Sequence, residues 1–341
     1  MTHHPSLTLV MPTIDWGGFF AICLPAALAG LGPEDEALVV FDGDPPPPPA
    51  WLSASRARLL RTPRRSGPGV ARNQAALEAR GDVLLFVDAD VELHPTAIAR
   101  IREHFARDPD LVSVFGSYDD DPVAPGRVSR FRNLLHHHTH SVNAGPAASF
   151  WAGCGAIRRD RFLALGGFDG LTYPRPSIED IELGTRMAAA GDRVLLDPTI
   201  LCRHHKRWTL VSMLRTDIRD RAIPWSRLIL QQRSLPTSLN LDWSARFSGL
   251  ASLVLVLALP LLPVPGLGPV AAAGLALALG ALLLLNRAFY ATLVRCDGPL
   301  SLLWSVPLHV LYYLSSSLVF GGMVIRTRLA RLLPQPRASQ P

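Results

Sequence analysis

An α/β domain built on a mainly parallel sheet and followed by C-terminal transmembrane helices is the fold class that this 341-residue sequence predicts. Three observations carry that prediction. Short β-rich runs alternate with helical stretches through the first half, the pattern of βα units. Three uncharged apolar stretches fill most of the last third. Charge divides along the same line: residues 247–341 hold six arginines and one acid, Asp297, a net of +5, whereas the residues before them stand near +1. Hydrophobic residues make up 48% and charged residues 18% of the chain, with a mean hydropathy of +0.21. That balance is too apolar for an ordinary soluble enzyme, too polar for a many-span transporter, and excludes disorder. The pI near 9.6 comes mainly from the tail. With no basic surplus on the folded part, nucleic acid is not an expected partner, and arginines flanking apolar segments read as membrane-surface contacts.

Taken in order, residues 7–11 (LTLVM) read as a buried strand closed by Pro12. The apolar run 16–31 contains Pro25 and reads as an amphipathic or buried helix, too short for a confident span. Residues 37–41 (ALVVF) form a second strand ending at Asp42-Gly43-Asp44, and the five prolines 45–49 a stiff surface spacer. A helix over 71–79, a third strand over 83–87 (VLLFV), a helix over 95–105 and a fourth strand over 111–115 follow. In open α/β sheets ligands bind beyond the carboxyl ends of strands, and Asp42 and Asp88 both stand at such ends.

Past Trp208 the pattern changes. Residues 208–230 mix large apolar side chains with four arginines, which suits either a helix lying in the membrane interface or a surface helix packed on the domain. The uncharged stretches 247–265, 267–286 and 300–325 have 19, 20 and 26 residues, against about 20 for a span. Pro265-Gly266 joins the first two into a hairpin. Arg233 and Arg246 before it and Arg287 and Arg295 after it put both of its ends in the cytoplasm. A third crossing would leave Arg326, Arg328, Arg331 and Arg337 outside, so the last segment either bends back near Pro307 or breaks the positive-inside tendency. Residues 1–6 lack a signal-peptide layout, and four scattered cysteines without C-x-x-C spacing fit a reducing compartment.

Two acidic constellations bear on chemistry. Asp88-Ala89-Asp90 closes the strand VLLFV. At a strand end, where the chain turns, two such carboxylates can converge on a divalent ion whose shell phosphate and water complete, although acids after strands also cap helices. Ser177-Ile178-Glu179-Asp180-Ile181-Glu182 sets three acids at a helix start, where they either complement the helix dipole, with Ser177 or Asp180 as cap, or supply a general base. The histidines at 136, 137, 138 and 140 read as a solvated or substrate-facing loop. No P-loop, G-x-G-x-x-G or nucleophile-elbow motif occurs.

The motifs VMPT (10–13), VVFDGD (39–44), GVARNQA (69–75), GDVLLFVDAD (81–90), FWAGCGAIRRDRFLALGGFD (150–169) and IEDIELGTRMAAAG (178–191) together resemble the inverting glycosyltransferases of family 2, over roughly residues 7–205. The resemblance implies a GT-A fold, transfer from a nucleotide-diphosphate sugar, and Mg²⁺ or Mn²⁺ as cofactor. Position by position it implies that Pro12, Thr13 and Asp42 hold the nucleoside, that Arg72 and Asn73 line the nucleotide pocket, and that Asp88 faces the ribose. Asp90 would meet the metal, with His205 on the metal or diphosphate. Gly153 would border the sugars, Asp180 would be the base with Glu179 beside it, and Arg186 would brace the base helix at the nucleotide-sugar site. Ile14-Asp15-Trp16 and the proline run depart from the family's usual nucleoside pocket. The Q-x-x-R-W motif of processive synthases is absent, since Lys206-Arg207-Trp208 lacks the glutamine.

The sequence is thus expected to comprise a catalytic domain over 1–207, an amphipathic interfacial segment over 208–246, two or three transmembrane helices over 247–325 and a basic tail over 326–341. One sugar would pass to a lipid-linked or glycolipid acceptor at the cytoplasmic face of a bacterial inner membrane. The alternatives are a non-catalytic membrane scaffold that binds sugar nucleotides, or a nucleotidyltransferase, whose lysine- and glycine-rich phosphate loop is missing.

Overall fold

The computed structural model describes residues 5–232 and 242–332; residues 1–4, Arg233 and Arg337, used above, lie outside the described residues. The sheet unit runs β1 (Leu7–Thr13), α1 (Phe20–Ala29), β2 (Glu36–Phe41), α2 (Ala50–Ser53), β3 (Arg58–Arg61), α3 (Pro68–Glu78), β4 (Val83–Val87), β5 (Val91–Leu93), α4 (Ala97–Arg107), β6 (Leu111–Tyr118), α5 (Arg127–Val142), β7 (Gly145–Pro146), β8 (Cys154–Arg158), α6 (Arg159–Ala164), α7 (Glu179–Ala189) and β9 (Arg193–His204). Strand order is β3-β2-β1-β4-β8-β6-β9-β5, with β7 also on β9. The pairs β1–β2, β1–β4, β2–β3 and β6–β9 are parallel, while β8 runs antiparallel between β4 and β6. This is the mixed α/β sheet of a GT-A-like domain.

Strand periodicity divides the core into two layers. Leu7, Leu9 and Met11 of β1, Val39 and Phe41 of β2, and Val83, Leu85 and Val87 of β4 face α1 and α4. The alternate residues Val10, Leu38, Val40, Leu84 and Phe86 face α3, α6 and α7. Because the central strands are buried on both faces, they read as continuous apolar runs.

Three expectations are corrected. Pro12 does not close β1, which continues to Thr13; the β4 ladder has already ended at Val10, so the missing N–H leaves no pairing unmade. The strand 83–87 is the fourth, because the arginine-flanked edge strand β3 precedes it. The histidines 136–140 stand on α5 and not on a loop: His140 is buried, and His136 packs 4.3 Å from the Tyr118 ring and 4.7 Å from Trp151. Histidine's weak helix propensity hid this helix, which the aromatic packing beneath it stabilises. The proline spacer is also anchored, since Trp16 Nε1 donates to the Pro46 carbonyl at 2.8 Å.

The second unit comprises α8 (Leu210–Arg215), a π-helical segment Thr216–Ala222, α9 (Ile223–Gln232), α10 (Trp243–Ala258), α11 (Gly268–Leu285), the start of α12 (Arg287–Asp297) and α13 (Leu302–Leu332); Ala291–Ser301 group with the sheet unit. Among the described residues three helical stretches, Trp243–Leu261, Gly268–Leu285 and Pro299–Ala330, are long and apolar enough to cross a membrane. Val270 and Leu277 are more than two-thirds exposed, a cost in water that lipid removes. Polar side chains tie the helices together: Asn286 Nδ2 donates to Ser248 Oγ at 2.8 Å and Tyr313 to Asn286 Oδ1 at 2.9 Å. α13 is continuous through Pro307, so the segment does not turn back there.

Candidate active site

The parallel strands β1, β2 and β4 deliver Thr13, Asp42 and Asp88 to one edge of the sheet, and antiparallel β8 brings the Gly153 loop to the same edge, with Val87 opposite Cys154. The Asp88 N–H donates to the Gly153 carbonyl at 3.2 Å, and its carbonyl accepts from the Val91 N–H at 3.0 Å.

One buried guanidinium joins the two acidic motifs. Arg72, on α3, donates to Asp88 Oδ1 through Nη2, lies 3.5 Å from Glu179 Oε1 through Nη1, and stacks 5.5 Å over the Phe168 ring. Glu179 is buried and accepts from the Ser177 N–H at 2.8 Å. Burial pushes the carboxyls of both Asp88 and Glu179 upward against the pull of Arg72. Asp180 accepts N–H bonds from Ala152 at 3.2 Å and Ile181 at 2.8 Å. Burial first, then the Glu179 charge, push its pKa up to about 7. A carboxyl poised near neutrality suits a general base. The cap of α7 is Ile178, so neither Ser177 nor Asp180 caps the helix.

On the other side of Asp88, the Asp90 carboxylate is about one-third exposed, 3.5 Å from His204 Nε2. Desolvation alone would raise its pKa, but the His204 contact and the Lys206 charge hold it below the ordinary value. His205, expected on the metal, instead bonds Glu92 at 2.7 Å. The chain has left the extended conformation at Asp90, and of the adjacent histidines it is the His204 ring that lies beside its carboxylate. Among the described residues no group of three metal-ligating side chains occurs. The donor set nonetheless fits a hard divalent ion, which needs only one or two carboxylates where phosphate and water supply the rest.

Other expected site residues are already engaged. Asp42 accepts from Thr62 Oγ1 and from the N–H groups of Ser66 and Gly67 at 2.8–2.9 Å, pinning the loop before α3. Asn73 exchanges two bonds with the Phe168 backbone. Arg186 ties Glu182 to the carbonyls of Leu165 and Gly167, bracing α7. The Thr13 hydroxyl donates to the Asp15 carbonyl at 2.6 Å, beside Pro12 within β1. A Cβ on Gly153 would meet the Trp151 indole at 2.5 Å, so that position admits no side chain without moving Trp151. Asn133, 2.8 Å from His204 Nδ1, and the Ala152 N–H also border the site, and no signal in the sequence marks either.

The sheet order and this edge define the class, a GT-A-type nucleotide-sugar transferase fold. Residues 8–165 match the family model described as Glycosyl transferase family 2; the match ends before Glu179 and Asp180. The chain is 28% identical over 165 residues to the pre-mycofactocin glycosyltransferase of Mycobacterium tuberculosis, covering 45% of this chain and 33% of the relative. It is 31% identical over 102 residues to the succinoglycan biosynthesis protein ExoO of Rhizobium meliloti, 29% of each. The chain thus spans about a third or less of the curated relatives it matches. The mannosyltransferase PcManGT from Pyrobaculum calidifontis, solved in complex with GDP-Man and Mn²⁺, is similar in fold, with a TM-score of 0.55 at 18% identity over 93% of this chain and 87% of that one.

Proposed function

We propose that this protein is a membrane-anchored inverting glycosyltransferase that moves one sugar from a nucleotide-diphosphate donor to a lipid-linked or glycolipid acceptor. The observation that carries the reading is the pairing, through Arg72, of the donor-side Asp88 with the acidic start of α7, where Asp180 stands with its raised pKa. In a single displacement the acceptor oxygen forms its bond to the anomeric carbon as the bond to the diphosphate breaks, and Asp180 takes the acceptor proton. Asp90 and His204 would hold Mg²⁺ or Mn²⁺, which when bound neutralises charge on the departing diphosphate. Arg72 and Glu179 keep Asp88 and α7 in register, Gly153 leaves room for the sugars, and Pro12, Thr13, Asp42 and Asn73 frame the nucleoside side of the edge.

The domains proposed are the catalytic unit to residue 207, an interfacial segment 208–246, the transmembrane helices 247–325 and the tail. The lipid acceptor rests on the three apolar helices, because a tethered domain meets lipid headgroups at high effective concentration. A cytoplasm-facing catalytic domain on a bacterial inner membrane follows from the arginines flanking the hairpin. The test is the anomeric configuration of the product: an inverting enzyme gives the configuration opposite to the donor's, and retention would contradict the single displacement.

A further inference from the structure

The apolar run at residues 16–31 and the prolines at 45–49 take no part in the transfer, yet they meet on the surface. α1 packs Phe20, Cys23, Leu24 and Ala27 inward. Gly18, Ile22, Pro25 and Ala29, spaced along one side, stand exposed. Surface helices of globular domains carry polar residues on such a side, and from Trp16 to Leu31 this chain carries no charged, amide or hydroxyl side chain. Phe19, Ile22 and Trp51 are 41%, 49% and 38% exposed, and the Trp51 ring lies 5.8 Å from that of Phe20. The proline run joins the same surface through Trp16, whose indole holds the Pro46 carbonyl, and Pro46, Pro47 and Pro48 are exposed. Proline has no N–H, so this stretch of backbone leaves water without stranding a donor.

Exposed apolar patches mark protein or membrane contacts. Here the face offers almost nothing that could specify a protein partner by charge or hydrogen bonding, whereas Trp and Phe among aliphatic neighbours suit the bilayer interface. On a chain tethered by three apolar helices, lipid is also the partner at highest local concentration. We propose that Phe19, Ile22 and Trp51 form a lipid-docking face, through which the sheet unit dips into the interface of the membrane that anchors it. The Phe19 ring lies 5.3 Å from that of His205, whose N–H donates to the Asp90 carbonyl at 2.9 Å. Docking therefore holds the Asp90 edge near headgroup depth, where a lipid-linked acceptor presents its reacting group. This rests on the membrane-anchored reading.

The experiment is quenching of a fluorophore on the full-length protein, reconstituted into phosphatidylcholine vesicles with or without nitroxide on the acyl chains. Cys296→Ser removes the one cysteine that is not buried. The fluorophore is attached to Ile22→Cys or, as reference, to Leu77→Cys, an exposed position on α3 in the opposite layer. The expected result is that the Ile22 label loses most of its emission in nitroxide vesicles while the Leu77 label keeps its own. Adding Phe19→Ser and Trp51→Ser should restore the Ile22 emission. Protein that floats with the vesicles but shows equal quenching at the two positions overturns the proposal and leaves the anchor standing. An Ile22 label that is blue-shifted yet unquenched overturns it too, and assigns the face to a second copy of the chain. Quenching unchanged by the two serines overturns the role of Phe19 and Trp51; if that variant fails to fold, the comparison of Ile22 with Leu77 decides alone. Protein that does not float with the vesicles overturns the anchored reading and the docking face with it.

Discussion

Asp180 gains its raised pKa from burial and from Glu179, partly offset by the Ala152 N–H and by Arg72. A base must be ionised to accept a proton, so the ionised fraction, and with it kcat/KM toward a hydroxyl acceptor, rises about tenfold per pH unit below about 7 and levels above it. Glu179→Gln removes the neighbouring negative charge and should move that limb to lower pH; an unmoved limb would show that the titrating group is not Asp180. Arg72 is a different kind of residue. Replacing it with Leu leaves the buried Glu179 without its cation, and breaking a buried pair costs about 3–5 kcal/mol. Thermal unfolding of the detergent-solubilised protein should show a large drop for Arg72→Leu, and Arg72→Lys should recover only part of it, since an ammonium cannot fork between two carboxylates. Equal stability of all three proteins would contradict the bridging role.

At the scale of elements, α7 matters because it carries both acids. Gly184 presses it against the preceding loop: a Cβ there would lie 2.3 Å from the Phe150 nitrogen and 2.4 Å from the Ser149 carbonyl carbon, both backbone atoms. Gly184→Ala should therefore shift α7 and lower kcat with little change in donor KM, as measured by steady-state kinetics. Unchanged kcat would mean that the helix position does not set the base. The acids of α7 were legible in the sequence as a charged helix start, and the strands β1, β2 and β4 as apolar runs ending in polar residues. What was not legible arises from tertiary pairing. β3 is a four-residue edge strand with only two apolar residues. α5 carries histidines that local propensity cannot place, and only the folded turn at Asp90 sets His204 rather than His205 beside it. Asp42 and Asn73, expected on the donor side, also hold neighbouring backbone, which no spacing in a sequence reveals.

For the molecule as a whole, the apolar helices and the sheet unit make different demands. The exposed apolar surface of α10, α11 and α13 predicts a protein that stays with the membrane fraction after alkaline carbonate washing and leaves it only with detergent; release by carbonate would contradict an integral anchor. Asn286 links Ser248 and Tyr313 in the helical unit. Its replacement by Leu should cost only about 1.2 kcal/mol, two hydrogen bonds between membrane helices at about 0.6 kcal/mol each, seen as a small fall in detergent-phase melting temperature. A fall as large as that of Arg72→Leu would show that the network holds the unit together.

The central claim is that the edge built by Asp88, Asp90, Arg72 and Asp180 transfers sugar. It is tested most directly by nucleotide release from UDP-, GDP- and dTDP-sugars, in membranes containing the protein and added lipid extract, with Mn²⁺ or with chelator. The account predicts release from one donor class that needs the metal and is lost in both Asp90→Ala and Asp180→Asn. Folded, membrane-bound protein that releases no nucleotide from any donor would contradict it, and would leave a sugar-nucleotide-binding scaffold in its place.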